Sequence, residues 1–383
     1  MKKPVIVYAA SGYTGRLACE WLAKLGVPFV AAGRNLAKLE SVVKPLRALG
    51  ADCEASACEH TPEGLNKLLL GSRVVINISG PFSLLGREVV QAALDNGVHY
   101  VDSTGEQDFM FDLRRDFGQR FAAKELLLSP SAAFLWGPGA AAAELCLETP
   151  GIEDIETIYA PPSLQTVASL QSMFRSVRRG GDVIRDGSRT PADTTTAVHV
   201  QVPRRGKVGA LCVAAGEATF LAGDARVRHC RTYFANDALA RAATVFGAWE
   251  KLANNVLGHF VAGEKLDRFT DAAVLRFKSD PPAEDPAAHR FIVQTVGIGA
   301  GQRVKVLLEG TSPYVFTGFT CALAAQELLA GRARRFGYAS LGQAFGARHV
   351  LARFSEAGTE TTYEVTRTER ALINATHNGS AAA

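Results

Sequence analysis

The chain has 383 residues, of which 47% are hydrophobic and 21% charged, and its net charge at pH 7 is +4. This composition is typical of a globular protein that is long enough for two domains. Because the basic clusters are not interleaved with aromatic residues and no uninterrupted apolar run could cross a bilayer, we expect neither a nucleic-acid partner nor an integral membrane segment.

The cysteines and the first residues bear on the cellular compartment. Seven scattered cysteines, an odd number, are typical of reduced thiols in a cytoplasm. Cys53, Cys58 and His60 form the one metal-like cluster of the sequence. Along a strand the two cysteines would face opposite sides, so no metal site is predicted. Residues 1–4 run directly into a predicted strand and leave no room for a signal peptide. We therefore expect a cytoplasmic protein.

The first strand and the turn after it carry the strongest signal. Pro4–Ala9 is rich in β-branched residues and predicts a buried parallel strand. The glycine turn that follows opens a helix whose apolar residues repeat every four positions. In such a unit Gly12 lets the backbone approach a pyrophosphate, and Gly15 lets the helix close on the strand. We predict a dinucleotide site, with a plain structural turn as the alternative, and its contacts are Ser11, Gly12, Tyr13, Thr14 and Gly15.

The end of the second predicted strand indicates which dinucleotide binds. This strand, Pro28–Ala32, ends at Gly33-Arg34-Asn35. Sites that prefer NAD carry an acid here for the ribose 2′-hydroxyl, whereas a 2′-phosphate favours an arginine. The chain has Arg34 and no acid, which predicts NADP(H) bound by Arg34 and Asn35. The alternative is an ordinary exposed arginine that opens the next helix.

Strands alternate with helices throughout residues 1–150. Further strands are predicted near 51–57, 73–78, 98–102 and 125–128. This alternation is typical of an α/β fold with a parallel, doubly wound Rossmann sheet. Ligands bind beyond the carboxyl ends of such strands. The loop after the fourth strand should therefore contact the cofactor, through Ser79, Gly80 and Phe82.

The pattern changes near residue 150. Residues 151–311 contain longer polar runs of β type, among them Thr194–Val202, Ala218–Phe234 and a hairpin of Arg290–Gly297 with Gln302–Glu309. These runs predict a second, mixed or mainly antiparallel α+β domain. We expect it to bind substrate and to form a homodimer, because exposed sheet edges need cover.

The last part of the chain is predicted to be helical again. Residues 312–370 should form helices that return to the Rossmann domain, and Leu341–Ala357 reads as one of them. The small and polar residues 371–383 are expected to be a disordered tail.

Four segments together resemble the saccharopine dehydrogenase-like oxidoreductases, the broad group that includes trans-acting enoyl reductases. They are residues 11–15, 33–35, 79–82 and 99–106. The resemblance implies a Rossmann domain, an inserted mixed-sheet domain and a nicotinamide cofactor, and it leaves the substrate open.

Three departures from the group's pattern stand out. Ala9 replaces the usual first glycine of the turn, and Gln165 replaces a glycine in a serine/threonine segment. Ala133-Phe134-Leu135-Trp136 stands where the group tends to carry a Gly-Phe-Asp-like turn. Any role implied for that acid therefore does not transfer to this chain.

A bound nicotinamide makes hydride transfer the reaction class, and the protein must then supply orientation and a proton donor. The candidate donors are Asp102, Glu106 and Tyr159. Each has a structural alternative: Asp102 could bond loop amides, Glu106 could cap the following helix, and Tyr159 could be a buried phenol with its hydroxyl satisfied. Ser163, at the domain junction, is a further candidate for substrate contact.

Three apolar side chains after the sixth strand bear on the substrate. Phe134, Leu135 and Trp136 would lie at the ligand crevice near the nicotinamide and would suit a bulky, apolar organic molecule. The alternative is that Phe134 and Trp136 pack the domain junction.

Three functions follow from these residues. The leading hypothesis is NADPH-dependent reduction of a conjugated C=C bond, in an enone or enoyl group. The second is a saccharopine- or opine-like C–N oxidoreductase with a charged substrate. The third is a nucleotide-binding scaffold without turnover.

Overall fold

A computed structural model describes residues 2–162, 180–194, 196–238, 240–241 and 289–367. Within these ranges the chain forms two β-sheets with helices packed on and between them. Ser163 and the predicted tail 371–383 lie outside the described residues.

Strands and helices alternate up to Leu147. In chain order these elements are β1 (Val5–Tyr8), α1 (Tyr13–Lys24), β2 (Phe29–Gly33), α2 (Leu36–Ala48), β3 (Cys53–Ala57), α3 (Pro62–Leu69), β4 (Val74–Asn77), α4 (Phe82–Asp95), β5 (His99–Asp102), α5 (Gln107–Ala122), β6 (Leu127–Ser129) and α6 (Gly137–Leu147).

The remaining described elements belong mostly to the second sheet. They are β7 (Asp154–Ala160), β8 (Asp182–Arg185), β9 (Ser188–Pro191), β10 (Ala197–Val202), β11 (Gly206–Cys212), α7 (Gly216–Leu221), β12 (His229–Ala235), β13 (Arg290–Gly299), β14 (Gln302–Thr311), α8 (Pro313–Leu329), β15 (Gly337–Tyr338), α9 (Leu341–Phe345), α10 (Ala347–Arg353), a 3₁₀ turn (Phe354–Ala357) and β16 (Glu360–Arg367).

The first sheet is parallel and has the order β15-β6-β5-β4-β1-β2-β3 in the described chain. At its centre Tyr8 of β1 lies opposite Ala32 of β2 and Asn77 of β4. All four residues of β1 are buried, because helices cover both faces of the sheet. The strand order reverses between β1 and β4, where a doubly wound sheet opens its ligand crevice. The predicted Rossmann fold is confirmed.

The second sheet is mixed. Its described strands follow the order β10-β11-β12-β7-β13-β14-β16, with β8 beside β12 and β9 beside β8. The pair of β12 with β7 is parallel, and the other described pairs are antiparallel. The predicted hairpin is β13 and β14, joined at Ala300-Gly301. The expected mixed second domain is therefore confirmed.

The run Ala218–Phe234 was expected to be β-type, and this is wrong for its first part. Helix α7 occupies Gly216–Leu221, and β12 begins only at His229. Between them Gly223 has a φ of +71°, which turns the chain. The guanidinium of Arg114 donates to the carbonyl oxygens of Thr219 and Ala222 and so binds the carboxyl end of α7. Contacts with another helix thus override the local pattern.

Two further differences lie near the end of the chain. The predicted helix Leu341–Ala357 is divided at Gly346, whose φ of +94° ends α9. Strand β16 joins the second sheet at its edge beside β14, although only helices were expected there. Its residues are nearly all exposed, so it lacks the apolar alternation that marks a half-buried strand.

Helices α6 and α8 join the two sheets. In α6 every residue except Glu144 is buried, and the helix packs on both β7 and β13 of the second sheet. Helix α8 packs along α1, where a Cβ on Gly318 would come within 2.8 Å of the Leu17 backbone. The absence of a side chain at Gly318 therefore permits this close approach.

Candidate dinucleotide site and domain junction

The turn between β1 and α1 has the tight geometry that the sequence predicts. Ala9 has a φ of +62°, and the Gly12 amide donates to the Ala9 carbonyl at 3.2 Å. A Cβ on Gly15 would lie 2.7 Å from the Ala9 oxygen and 2.8 Å from the Ala10 Cα. Gly15 therefore lets α1 close on β1, and Ala9 occupies the left-handed conformation that a glycine adopts more easily.

The N-cap residue of α1 is Gly12, which has no side chain to cap the helix, and the first turn carries no acid. Gly12 is exposed, while Ser11, Tyr13 and Thr14 are partly exposed. Backbone N–H groups at such an end favour an anion. The turn can therefore accept a phosphate group.

Arg34 lies at the same edge, directly after β2. Its side chain is exposed and makes no hydrogen bond or ion pair with other described residues. Burial raises the pKa of Tyr8, at the end of β1, to about 12, and the charge of Arg34 opposes that rise. A positive charge thus stands beside the crevice where the sequence predicts a 2′-phosphate.

Asn35 has a structural partner. Its Oδ1 accepts a hydrogen bond from the Lys38 amide at 3.0 Å and so caps α2. The side chain is thereby directed to its own helix, and a cofactor contact by Asn35 stays a prediction.

The loop after β4 is shaped by a residue that sequence reasoning missed. Asn77 is buried, and its Oδ1 accepts from the Ser79 amide at 3.0 Å and from the Ser79 hydroxyl at 2.6 Å. Ser79 and Phe82 are buried, whereas Gly80 is exposed at the sheet edge. A polar residue that ends an apolar strand was the signal for Asn77.

Asp102 ties three segments together at the end of β5. Its Oδ1 accepts from the amides of Thr104 and Ser131, at 2.9 and 2.8 Å, and its Oδ2 accepts from the Tyr100 hydroxyl at 2.8 Å. Burial raises the pKa of this carboxyl to about 7, although these hydrogen bonds act in the opposite direction. The geometry agrees with the structural alternative for Asp102, because its oxygens organise the loops after β5 and β6.

Glu106 caps a helix, but not the one that was expected. Its two carboxylate oxygens accept from the amides of Phe82 and Ser83, at 2.9 and 3.0 Å, at the start of α4. Its side chain makes no capping bond to α5, the helix that follows it. The buried carboxyl group is thus hydrogen-bonded at the amino end of α4.

Tyr159 belongs to a buried pair. Its hydroxyl accepts from the Gly139 amide at 3.0 Å and donates to Oε1 of Glu217 at 2.8 Å. Burial raises the pKa of Glu217 to about 7 and that of Tyr159 well above its usual value. A Cβ on Gly139 would lie 2.1 Å from that carboxylate oxygen. The sequence offered no signal for Glu217, because its segment was expected to lead into a strand.

The three predicted substrate residues lie at the domain junction. The rings of Phe134 and Trp136 both pack edge-on against Tyr159, with centroids 5.7 and 5.2 Å away. The Trp136 Nε1 donates to the Gly105 carbonyl at 3.2 Å. Both rings are buried, while Leu135 is partly exposed. The junction-packing alternative thus describes the two rings, and Leu135 keeps accessible surface.

The three residues of the metal-like cluster do not share a common site. Cys53 and Cys58 are buried thiols, and His60 Nδ1 lies 2.9 Å from the Tyr8 hydroxyl. In the described ranges no three His, Cys, Asp or Glu side chains gather closely enough to hold a metal ion. None of the described helices is long and apolar enough to cross a membrane. A cytoplasmic location stays a prediction.

Comparison with protein families divides the chain in two. Residues 5–122 match the saccharopine dehydrogenase NADP-binding domain. Residues 137–369 match a family of unknown function, DUF5938. The first match indicates that this chain binds NADP(H), as the glycine turn and Arg34 predict.

Named relatives match about a third of the chain. A lipid droplet localized protein of Caenorhabditis elegans is 34% identical over 130 residues, which are 32% of this chain and 30% of that protein. A saccharopine dehydrogenase-like oxidoreductase of Mus musculus is 28% identical over 145 residues, 34% of each chain. A Mycobacterium tuberculosis protein named as a trans-acting enoyl reductase is 30% identical over 112 residues, 28% of this chain and 26% of that one. The matches thus span about a third or less of each relative's own length.

The match to a saccharopine dehydrogenase structure extends over nearly the whole chain. That structure is the apo form of saccharopine dehydrogenase (L-Glu forming) from Saccharomyces cerevisiae, with a TM-score of 0.62 over 95% of this chain and 100% of that one. The sequence identity is 12%, so the likeness concerns the fold. The resemblance to the saccharopine dehydrogenase-like group is confirmed.

Proposed function

This chain belongs to the DUF5938 family and carries a saccharopine dehydrogenase NADP-binding domain, and from that premise we propose that it is an NADP(H)-dependent reductase of a conjugated C=C bond in a bulky, apolar substrate. The observation that carries the cofactor part of the proposal is the glycine N-cap of α1 beside exposed Arg34 at the switch point of the sheet.

The cofactor residues have separate tasks in this proposal. The amino end of α1 and the open backbone at Gly12 bind the pyrophosphate, and Arg34 pairs with the 2′-phosphate. Gly80 leaves the edge of the β4 loop open beside the dinucleotide. NADPH, once bound, supplies the hydride.

The apolar character of the junction supports an enone or enoyl substrate. Leu135 is partly exposed beside Gly105, where a Cβ would lie 3.7 Å from the Leu135 Cδ1. The nearby acids, Asp102, Glu106 and Glu217, are buried and hydrogen-bonded to protein groups. A charged amino-acid substrate would have to pair its charges there, whereas an apolar chain would not. The name of the M. tuberculosis relative points in the same direction.

Turnover distinguishes the three functions. NADPH oxidation would be followed by absorbance with a long-chain enone, with a small cyclic enone, with a 2-oxo acid plus an amino acid, and with no substrate. We expect oxidation with the enones and faster oxidation with the long one. Oxidation only with the oxo acid and the amino acid would favour C–N chemistry, and binding without any oxidation would favour a scaffold.

A substitution at Leu135 tests the apolar contact. Leu135→Asn should raise the KM for the long-chain enone and leave the KM for NADPH nearly unchanged, because only the substrate would lose apolar surface. Leu84→Asn, at an exposed leucine of α4, is the matched control. Equal KM values for both variants would contradict the assignment of Leu135.

A substitution at Arg34 tests the cofactor assignment. A charge-assisted contact is worth about 1.5–3 kcal/mol, so Arg34→Ala should raise the Kd for NADPH at least about tenfold and leave that for NADH nearly unchanged. Arg47→Ala is the control, because Arg47, on α2, is an exposed arginine that pairs with Glu40 at 2.8 Å instead of standing at the crevice. Equal losses for NADPH and NADH would refute the 2′-phosphate contact.

A further inference from the structure

Two tyrosines from distant parts of the chain meet at the glycine turn. Tyr13 is the first residue of α1, and Tyr314 lies in the first turn of α8. Their ring centroids are 5.5 Å apart, with an interplanar angle of 82°, which is an edge-to-face pair. Both residues are partly exposed, so the pair lies at the surface of the crevice edge.

The packing of α8 on α1 holds this pair in place. Beyond the two tyrosines, Gly318 meets the backbone of Leu17, and Trp21 packs edge-on against Phe319 with centroids 5.0 Å apart. As α1 proceeds from Tyr13 to Trp21, its contacts on α8 proceed from Tyr314 to Phe319. The two helices therefore run in the same direction. Both helices therefore begin at the same edge of the sheet, beside the glycine turn.

The two tyrosines lie in regions that match different families. Tyr13 lies within the NADP-binding match at 5–122, and Tyr314 lies within the DUF5938 match at 137–369. We propose that Tyr314 is a positioning residue of the dinucleotide site, which acts by fixing the Tyr13 ring and the first turn of α1 against the bound NADP(H). The site is then completed by a helix, α8, that lies outside the NADP-binding match but packs on α1.

The physical reason is the preorganisation of the turn. A Tyr13 ring that is already packed loses less rotamer freedom when a dinucleotide binds beside it. Without the Tyr314 ring, Tyr13 would lose one of its packing contacts and keep more rotamer freedom before binding, so the affinity would fall. The ring carries this role, so phenylalanine at position 314 should preserve it.

The test measures NADPH affinity in the full chain. An edge-to-face pair suggests that Tyr314→Ala should raise the Kd for NADPH about threefold to tenfold. Tyr13→Ala should have a similar effect, and the double variant should lose little more than the larger single effect. Tyr314→Phe should bind like the wild type. Tyr363→Ala, which removes an exposed tyrosine of β16, is the matched control.

Thermal unfolding without cofactor shows whether each variant folds. If Tyr314→Ala does not fold, Tyr314→Leu keeps apolar volume without an aromatic ring and should show the same loss of affinity. Additive losses in the double variant, or wild-type affinity in both Tyr314→Ala and Tyr314→Leu, would overturn the proposal. The inference rests on NADP(H) binding at the glycine turn: a wild-type chain that binds no NADPH would refute the proposed function itself, whereas unaffected variants would refute only the role of Tyr314.

Discussion

The sheet edge that carries the glycine turn and Arg34, here called the dinucleotide edge, lies beside the domain junction. The polar groups of these two regions have opposite environments. At the edge, α1 begins after a glycine N-cap, and Gly12, Arg34 and Gly80 are all exposed. At the junction, Asp102 and Glu217 are fully buried and hydrogen-bonded to protein groups. The polar groups of the edge are thus accessible to a ligand, while those of the junction are hydrogen-bonded within the protein.

This difference shows that residue type alone does not identify a catalytic group. Asp102, Glu106 and Tyr159 are chemically suited to move a proton, but each is held by backbone amides or a buried partner. Burial without such partners would be costly for any of them. Their observed hydrogen bonds join segments of the fold, and a role in proton transfer stays a prediction.

The largest expected effect tests whether the junction is a packed core. Trp136→Ala should lower the free energy of unfolding by about 3–5 kcal/mol, because it removes a buried aromatic ring. Leu135→Ala should lower the free energy of unfolding by clearly less, because Leu135 is partly exposed. Urea unfolding of both variants measures the difference. Similar losses would mean that the two side chains are equally buried and that the contrast with the open edge is weaker than described.

The next effect separates packing from binding within the open edge. Gly15→Ala places a Cβ against backbone atoms and should lower the free energy of unfolding by about 1–3 kcal/mol. It should also weaken NADPH binding. At Gly12 a Cβ would meet only the Ala9 oxygen, at 3.5 Å. Gly12→Ala should therefore weaken NADPH binding by narrowing the phosphate approach, with a stability change below about 0.5 kcal/mol. Equal stability losses, measured by urea unfolding, would contradict this division.

The buried acids of the junction predict a dependence of stability on pH. The pKa values of Asp102 and Glu217 are raised by burial to about 7, so the folded chain binds their protons more tightly than the unfolded chain. This tighter proton binding contributes to the stability of the folded chain. The contribution is complete below the unfolded pKa values and is lost as the pH rises through about 7. The free energy of unfolding should therefore increase by about 1–2 kcal/mol from pH 8 to pH 6.5.

Isosteric variants assign that dependence to the two acids. Asp102→Asn and Glu217→Gln should each flatten the profile, and the double variant should flatten it most. Burial lowers the pKa of His99 to about 4, so its opposing effect falls mainly below pH 6.5, outside this interval. A double variant with an unchanged slope would show that other groups cause the dependence.

The smallest expected effect concerns Ala9. Its φ of +62° strains an alanine, whereas glycine adopts this conformation freely. Ala9→Gly should stabilise the chain by up to about 1 kcal/mol, because relief of the strain exceeds the added entropy of the unfolded state. Ala10→Gly, at a buried position without a positive φ, should destabilise it. Thermal unfolding of both variants checks the sign, and a destabilised Ala9→Gly variant would show that the turn is not strained.

Much of the fold could be predicted because its signals are local. The β-branched run before the glycine turn and the alternation of strands and helices point to a parallel sheet without any tertiary knowledge. The predictions missed α7 and β16, where local pattern and final structure disagree. Helix α7 depends on the Arg114 side chain at its carboxyl end, and β16 depends on pairing with β14. Neither partner is close in sequence.

The sequence by itself determined the Rossmann unit, its glycine turn and the basic residue that favours NADP(H), because backbone geometry dictates those residues within a few positions. Only the tertiary structure decided the partners of the polar groups. Glu106 caps a helix that begins 24 residues earlier, and Tyr159 pairs with Glu217, 58 residues later. Tyr314 reaches the turn from the far end of the chain. Hydrogen bonds and ring contacts of this kind depend on which surfaces burial brings together, and spacing along the chain does not encode that.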